Sequence, residues 1–416
     1  MAFADSQSDF PYALFQVRRA AQALSDRGAE VQSQALNKMA KALDAQRSTI
    51  LEANTLDLEA SLEMAVPELV LDWLKLTPER LSASIEILQR LAALGDPRVL
   101  NLAPSRLTPS SSCYSRPMPL GVIALIYEAF PELAIIAAGL CLRTANGLVL
   151  KGGNEASQTN AAIAQIIGQA LDEADFPPEC ILFLSGHQGD AARTSLLQAR
   201  EIDLVIPYGR PSLIQQVMKQ AAIPVLPTTM GNCYLYWSAS GEMNAVADIV
   251  IESHRGEPDA VNAIEKILIH QSHGHGAINQ LCRLLQEKGF RLRADAEMMH
   301  DFSGLNLAEE DDWQRPYLAK VIAVRRINSL EAAARLINLY SSGHADCIVT
   351  ESYRESHEFA QAVQSATVYI NASSRFSRNP AQASAIALGM TARRGYGGYI
   401  GLETLMSMKH ITQGLK

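Results

Sequence analysis

No two cysteines in this chain of 416 residues stand in a C-x-x-C spacing; the six occur singly, as Cys113, Cys141, Cys180, Cys233, Cys282 and Cys347. That scatter argues against a thiolate zinc site and a dense disulfide framework, and it suits a reducing compartment. Excess positive charge is missing too. With 36 lysines and arginines against 44 aspartates and glutamates, the formal net charge is −8, which argues against a general attraction to nucleic-acid phosphates or anionic membranes. The most apolar stretch, Pro119 to Leu142, is broken by Glu128, Pro131 and Glu132, so no run is long enough to cross a bilayer as one helix. The first residues, MAFADSQSDF, are polar and acidic and lack the basic start and apolar centre of a secretory leader. No G-x-S-x-G elbow, repeat of fixed period, low-complexity run or sustained heptad is found. These absences leave a cytoplasmic protein whose partners are small molecules or other proteins.

Hydrophobic residues make up 48% of the chain and charged residues 19%, a balance that buries sizeable cores, and the length predicts at least two domains. Leu36, Met39, Ala40 and Leu43 fall at i, i+3, i+4 and i+7, one face of a helix, and the first hundred residues read as helical. After the Pro/Ser-rich passage from Pro104 to Pro117 the pattern changes. Short apolar runs at 121–127, 147–150, 180–184 and 203–206 alternate with segments long enough for crossover helices, which predicts a parallel doubly wound sheet. A second series begins near residue 245, with runs at 266–270, 320–327, 347–350 and 366–370. The fold class is therefore α/β with two doubly wound units.

Few motifs carry chemistry by themselves. In GLVLKGGNEAS a strand leads to Lys151, Gly152 and Gly153 and then to a helix from about Glu155. The glycines let backbone approach a ligand and the lysine suits a phosphate or ribose, although an ordinary strand-to-helix turn has the same sequence. RGYGGYIGL (394–402) has the wrong spacing for a dinucleotide fingerprint and reads as a tight loop. His270, His273 and His275 in IHQSHGHGAI lack a carboxylate or thiol to complete a metal set and read as a solvated loop between a strand and a helix. GHQGD (186–190) and SGHAD (342–346) read as turns.

Taken in order, MPLGVIALIYEAFPEL (118–133), LVLKGGNEASQTN (148–160), DLVIPYG (203–209), VLPTTMGNCYLYW (225–237), SSGHADCIVTE (341–351), VYINASSRF (368–376) and RGYGGYIGLETLMSMKH (394–410) resemble segments of the γ-glutamyl phosphate reductases. These enzymes, also called glutamate-5-semialdehyde dehydrogenases, are a branch of the aldehyde dehydrogenase superfamily. The resemblance implies an aldehyde dehydrogenase-like fold with a helical N-terminal segment and an oligomerisation extension. Residues 1–240 and 376–416 would form the cofactor-binding domain with oligomerisation segments, and 241–375 the catalytic-type domain. It also implies NADPH-dependent reduction of L-glutamyl 5-phosphate to glutamate 5-semialdehyde in proline biosynthesis, through a thioester on a cysteine thiolate. Lys151, Gly152, Gly153 and Glu155 would bind NADPH or NADP, and His344, Asn371, Arg375 and Phe376 would occupy substrate-type positions.

The family sets its cysteine in a V-C-N-A-x-E context. Here DAVNAIEKILIH (259–270) matches at Asn262, Ala263 and Glu265 and places Val261 at the nucleophile's position. An isopropyl group forms no acyl intermediate. By the same comparison Pro316 replaces a ribose-binding glutamate, Ala387 replaces another glutamate, and Phe130 and Tyr208 replace arginines. Cys233 is a substitute thiol by position, with a structural role the alternative. The resemblance also implies a homo-oligomer, and three functions remain open: the family reductase, a silent paralogue that binds proline-pathway proteins such as a true reductase or the glutamate kinase that feeds it, and a nucleotide sensor.

Overall fold

The computed structural model describes residues 10–99, 105–108, 111–186, 189–255, 258–302, 304–382, 385–392 and 397–414. The chain forms two compact units. The first comprises residues 1–228, 378–388 and 399–416, and the second 229–377 and 389–398.

The first unit begins with helices Phe10–Ser25, Ala29–Ala45, Arg47–Glu63, Glu68–Leu74 and Pro78–Ala93. In Ala29–Ala45 the residues that fall inside are Ala35, Leu36, Met39, Ala40 and Leu43, the stripe that the spacing predicts. Pro78 starts the last of these helices at a position where a missing N–H costs nothing, and the Thr77 side chain caps it. Four parallel strands follow: β1 (Val122–Tyr127), β2 (Gly147–Lys151), β3 (Ile181–Leu184) and β4 (Leu204–Tyr208), in the order β3-β2-β1-β4. Every residue of these strands is buried, because crossover helices cover both faces of a parallel sheet. On one face Val122, Ala124, Ile126, Val149 and Val205 pack against Phe10, Leu14 and Val17 of the first helix. Full burial of each large side chain contributes about 1.5–3 kcal/mol. The chain steps from β1 outward to β3 and then returns to the other side of β1, which makes the carboxyl end of β1 the topological switch point. Strand Ser111–Pro119 pairs antiparallel with Met406–Gly414 and with Ser105–Thr108. Met118 and Met408 on this ribbon are exposed.

Among the described residues the second unit's sheet holds seven parallel strands: β5 (Cys233–Trp237), β6 (Ile264–His270), β7 (Arg291–Ala294), β8 (Asn306–Leu307), β9 (Val321–Ile327), β10 (Ala345–Val349) and β11 (Thr367–Ile370). Their order is β8-β7-β9-β6-β5-β10-β11. The series therefore opens at Cys233 and not near residue 245, and β5 is an interior strand paired with β6 and β10. Its aromatic run CYLYW alternates across the sheet. Cys233, Leu235 and Trp237 face one core with Ile264, Ile267 and Ile269, whereas Tyr234 and Tyr236 face the other with Leu268, Ile348 and Phe359.

Within 394–402 the structure also departs from the expected loop, since Tyr399–Gly401 is a short strand. A Cβ on Gly401 would lie 2.6 Å from the Ile386 carbonyl oxygen, so its glycine serves close backbone approach. Residues 393–396, like His187 and Gln188 of the GHQGD segment, lie outside the described residues. The three clustered histidines have separate partners. His270 bonds Ser272, His273 stacks on Trp237 with centroids 3.9 Å apart, and His275 stacks on Phe302 at 4.2 Å. Among the described residues no helix is long and apolar enough to cross a membrane.

Candidate active site

The first unit presents a cleft of about 160 Å³ at the carboxyl ends of β1 and β2. Its walls include Tyr127, Glu128, Lys151, Gly152, Gly153, Glu155 and Arg193. The sequence builds it locally. Strand β2 ends on Lys151, whose ammonium donates to the Gly152 carbonyl at 3.0 Å. A Cβ on Gly152 would sit 2.2 Å from Asn160 Nδ2 and 3.1 Å from the Tyr127 ring, so only glycine lets this backbone pass. The Tyr127 hydroxyl donates to Asn160 Oδ1 at 2.9 Å. Glu155 folds back over Gly153 and accepts the Ala129 N–H at 2.8 Å; burial raises its pKa, opposed by that hydrogen bond. Glu128 is compensated by Arg210, whose guanidinium donates to it at 2.9 Å and whose N–H donates at 2.8 Å. A cleft at a switch point, with glycine backbone and a lysine, fits the phosphate and ribose portions of a dinucleotide. Lys151, Gly152, Gly153 and Glu155 thus share one cleft. Arg193, on helix Gly189–Leu197, joins them although no local motif announces it.

Phe130 and Tyr208 are fully buried elsewhere in this unit. Phe130 stacks on Trp73 at 4.7 Å and meets Tyr208 edge-on at 5.2 Å. The Tyr208 hydroxyl accepts from Arg378 at 2.6 Å. Where the family resemblance implies arginines, this chain has a closed aromatic cluster.

In the second unit Val261 is fully buried in the turn before β6. Its carbonyl oxygen accepts from the Gly231 N–H at 2.9 Å and from His344 Nε2 at 2.9 Å. A carbonyl only accepts, so Nε2 carries a proton, and Nδ1 lies 2.9 Å from Ser342 Oγ. Burial lowers the His344 pKa to about 4, against the Val261 hydrogen bond, and the ring is neutral at pH 7. Cys233 Sγ lies 3.4 Å from the same Nε2. Burial, reinforced by nearby Asp346, holds its thiol well above the ordinary range, so it carries no thiolate. The structure thus brings Val261, His344 and Cys233 together, but with a neutral imidazole, a protonated thiol and an isopropyl group.

Asn262 is also buried. Its Nδ2 reaches the Tyr369 hydroxyl at 3.3 Å, its carbonyl accepts from Ser374 at 3.0 Å, and Oδ1 has no partner. Asn371 has φ +50° and exchanges two hydrogen bonds with the Thr350 backbone, at 2.9 and 2.7 Å. Arg375 is exposed and pairs with Glu252 at 3.5 Å, and Phe376 is buried.

The residue whose importance the sequence understates is Glu265. It sits in the apolar strand β6, fully buried, and accepts the N–H groups of Asn232, Tyr317 and Leu318 at 2.8, 2.8 and 2.9 Å. Neighbouring Lys266 lies 3.5 Å away, also buried, with its ammonium over the Tyr317 ring. Burial lowers the Lys266 pKa to about 8. One carboxylate thereby ties the Gly231–Asn232 turn to the loop at Pro316, including Leu318 at φ +51°. A charged pair inside an otherwise apolar run, IEKILI, was the available signal. Ala387 is buried.

Both units have the architecture of the aldehyde dehydrogenases, and that family's sequence model matches residues 3–281. An acetylating aldehyde dehydrogenase from Geobacillus thermoglucosidasius shares the fold over 98% of this chain and 97% of its own, with a TM-score of 0.71 at 13% identity. The relatives narrow the class. "Gamma-glutamyl phosphate reductase 2" of Synechocystis is 44% identical over 394 residues, 94% of each chain. A γ-glutamyl phosphate reductase of Gloeobacter violaceus is 35% identical over 95% of each. The crystal structure of the γ-glutamyl phosphate reductase of Thermotoga maritima covers 97% of this chain and 98% of its own, with a TM-score of 0.89 and 29% identity. The chain belongs to the γ-glutamyl phosphate reductase family, within the aldehyde dehydrogenases.

Proposed function

We propose that this protein is a nucleotide-binding member of the γ-glutamyl phosphate reductases, addressed to L-glutamyl 5-phosphate and NADPH in proline biosynthesis, in which the thioester step is disabled. In the family reaction a cysteine thiolate attacks the acyl carbon, phosphate leaves, and the thioester is reduced to glutamate 5-semialdehyde with release of the thiolate. NADPH, when bound, supplies the hydride. Lys151 and the Gly152–Gly153 backbone hold its phosphate and ribose groups in the cleft of the first unit. By the family resemblance Asn262 stands beside the nucleophile's position, and His344, Asn371, Arg375 and Phe376 occupy substrate-type positions.

The observation that carries the reading is Val261, buried at the nucleophile's position beside a neutral His344. Cys233 is no replacement, since its sulfur belongs to the core under β5 and is protonated. The protein acts by binding, as a homo-oligomer in the cytoplasm and as a partner of the proline pathway's working enzymes. Two measurements test this. NADPH oxidation with freshly made glutamyl phosphate should stay at the blank rate for the natural sequence and rise in Val261→Cys. Calorimetry should register NADPH binding to both. Turnover by the natural sequence overturns the proposal, and so does the absence of any cofactor binding.

A further inference from the structure

The charged residues that line the cleft of the first unit bear on which dinucleotide it takes. Two cations, Lys151 and Arg193, line it together with two acids, Glu128 and Glu155. The acids are both committed. Glu128 is paired with Arg210 at 2.9 Å and caps the Arg210 N–H at 2.8 Å. Glu155 has turned back over Gly153, so that a Cβ there would lie 2.1 Å from its Oε1, and that oxygen accepts from Ala129. Its burial also eases protonation.

A ribose diol is recognised by a carboxylate that accepts from the 2′-hydroxyl, whereas a 2′-phosphate is accommodated by a nearby arginine. Here the carboxylate is turned onto the protein's own backbone. Arg193, on helix Gly189–Leu197, lines the same cleft as Lys151 of strand β2. A phosphate bound in this cleft meets a guanidinium that bonds in fork geometry and an ammonium that acts as a point charge. Leu213, from the helix after β4, adds apolar wall to the same cleft.

We infer that Arg193 is the residue that selects a 2′-phosphorylated adenosine dinucleotide over its unphosphorylated counterpart, with Lys151 as its electrostatic partner. The inference rests on the proposal that this cleft binds the cofactor. It assigns the choice between the two cofactors to a residue outside the Lys-Gly-Gly turn.

Adenosine 2′,5′-bisphosphate and 5′-AMP, titrated by calorimetry into the full-length protein, isolate this half of the cofactor from the rest of the site. NADPH and NADH are then titrated in the same way. The bisphosphate is expected to bind at least about tenfold more tightly than AMP, a difference of about 1.4 kcal/mol. In Arg193→Gln that ratio should fall to within about threefold while AMP affinity is unchanged, and Arg193→Lys should keep most of it. The lysine variant also separates lost charge from lost packing, since it retains a long side chain. Equal affinities in the natural protein, or a ratio that survives in Arg193→Gln, would sink the inference and leave nucleotide binding intact. If no nucleotide binds at millimolar concentration, the cofactor reading falls and takes this one with it.

Discussion

Replacing Val261 by cysteine puts a thiol where the family's chemistry needs one, and the surroundings dictate how that thiol should behave. Val261 is fully buried, so exchanging an isopropyl group for a smaller CH₂SH removes packed volume and should cost about 1 kcal/mol of stability. The fold should survive. His344 Nε2 is engaged by the backbone carbonyl of residue 261, not by its side chain, and the ring stays neutral down to about pH 4. It supplies no cation to depress the new thiol. A free cysteine ionises near pH 8.5, so roughly a tenth is thiolate at pH 7.5, and burial reduces that fraction. NADPH oxidation by Val261→Cys with glutamyl phosphate should therefore rise about tenfold per pH unit up to about pH 7.5 and keep rising through pH 8.5. The natural sequence should show no enzyme-dependent rate at any pH. Removing a nucleophile from an otherwise intact site costs on the order of 10⁴- to 10⁶-fold, which bounds from above what the variant regains while Phe130, Tyr208 and Pro316 stay in place. The reasoning is refuted if the natural sequence turns over at about 1 s⁻¹ or faster. It is also refuted if the variant's rate is already at its plateau near pH 6, which would reveal an activating charge.

Three further outcomes follow from buried groups. Glu265→Gln keeps the shape but removes the charge that accepts three backbone N–H groups, and it leaves Lys266 unpaired in the core; a loss of about 3 kcal/mol is expected in urea denaturation, and a loss below about 1 would show the pair to be incidental. His344 and Asp346 pull the stability profile in opposite directions. Burial lowers the His344 pKa from 6.5 to about 4, so its contribution is present above pH 6.5 and lost as pH falls toward 4. Burial raises the Asp346 pKa from 3.8 to about 6, against hydrogen bonds from Ser365, Tyr234 and Ser341, so its contribution is present below pH 3.8 and lost as pH rises through 6. Their joint contribution should be nearly flat between pH 4 and 6.5, and relative to the natural sequence His344→Phe should lose stability progressively as pH rises through that window; a stability difference independent of pH there would contradict the assignment. Gly152→Ala would force a Cβ to within 2.2 Å of Asn160 Nδ2. It should weaken NADPH binding in calorimetry tenfold or more while circular dichroism stays unchanged, and undiminished binding would place the cofactor elsewhere.

The local code was legible wherever burial and period coincide. The helical stripe at Leu36, Met39, Ala40 and Leu43 and the largely apolar runs of β1, β2 and β4 are unambiguous, because a strand buried on both faces favours apolar residues. Strand β5 was harder to place, since a run of aromatics before residue 245 does not say which sheet it joins. Pairing with β6 and β10 decides that, and β10 lies more than a hundred residues along the chain.

What the sequence by itself determined was identity of parts: the absence of a thiol at Val261, fixed in register by Asn262, Ala263 and Glu265, and the Lys151-Gly152-Gly153 turn at a strand's end. Only the tertiary structure decided their circumstances. It made His344 neutral by burial, closed Phe130 and Tyr208 into an aromatic cluster, and turned Glu155 back onto Ala129. It also brought Arg193 into the cleft from a helix some forty residues along the chain. Composition and spacing report which groups exist, whereas proton affinity, charge compensation and access depend on neighbours that folding alone brings within a few ångströms.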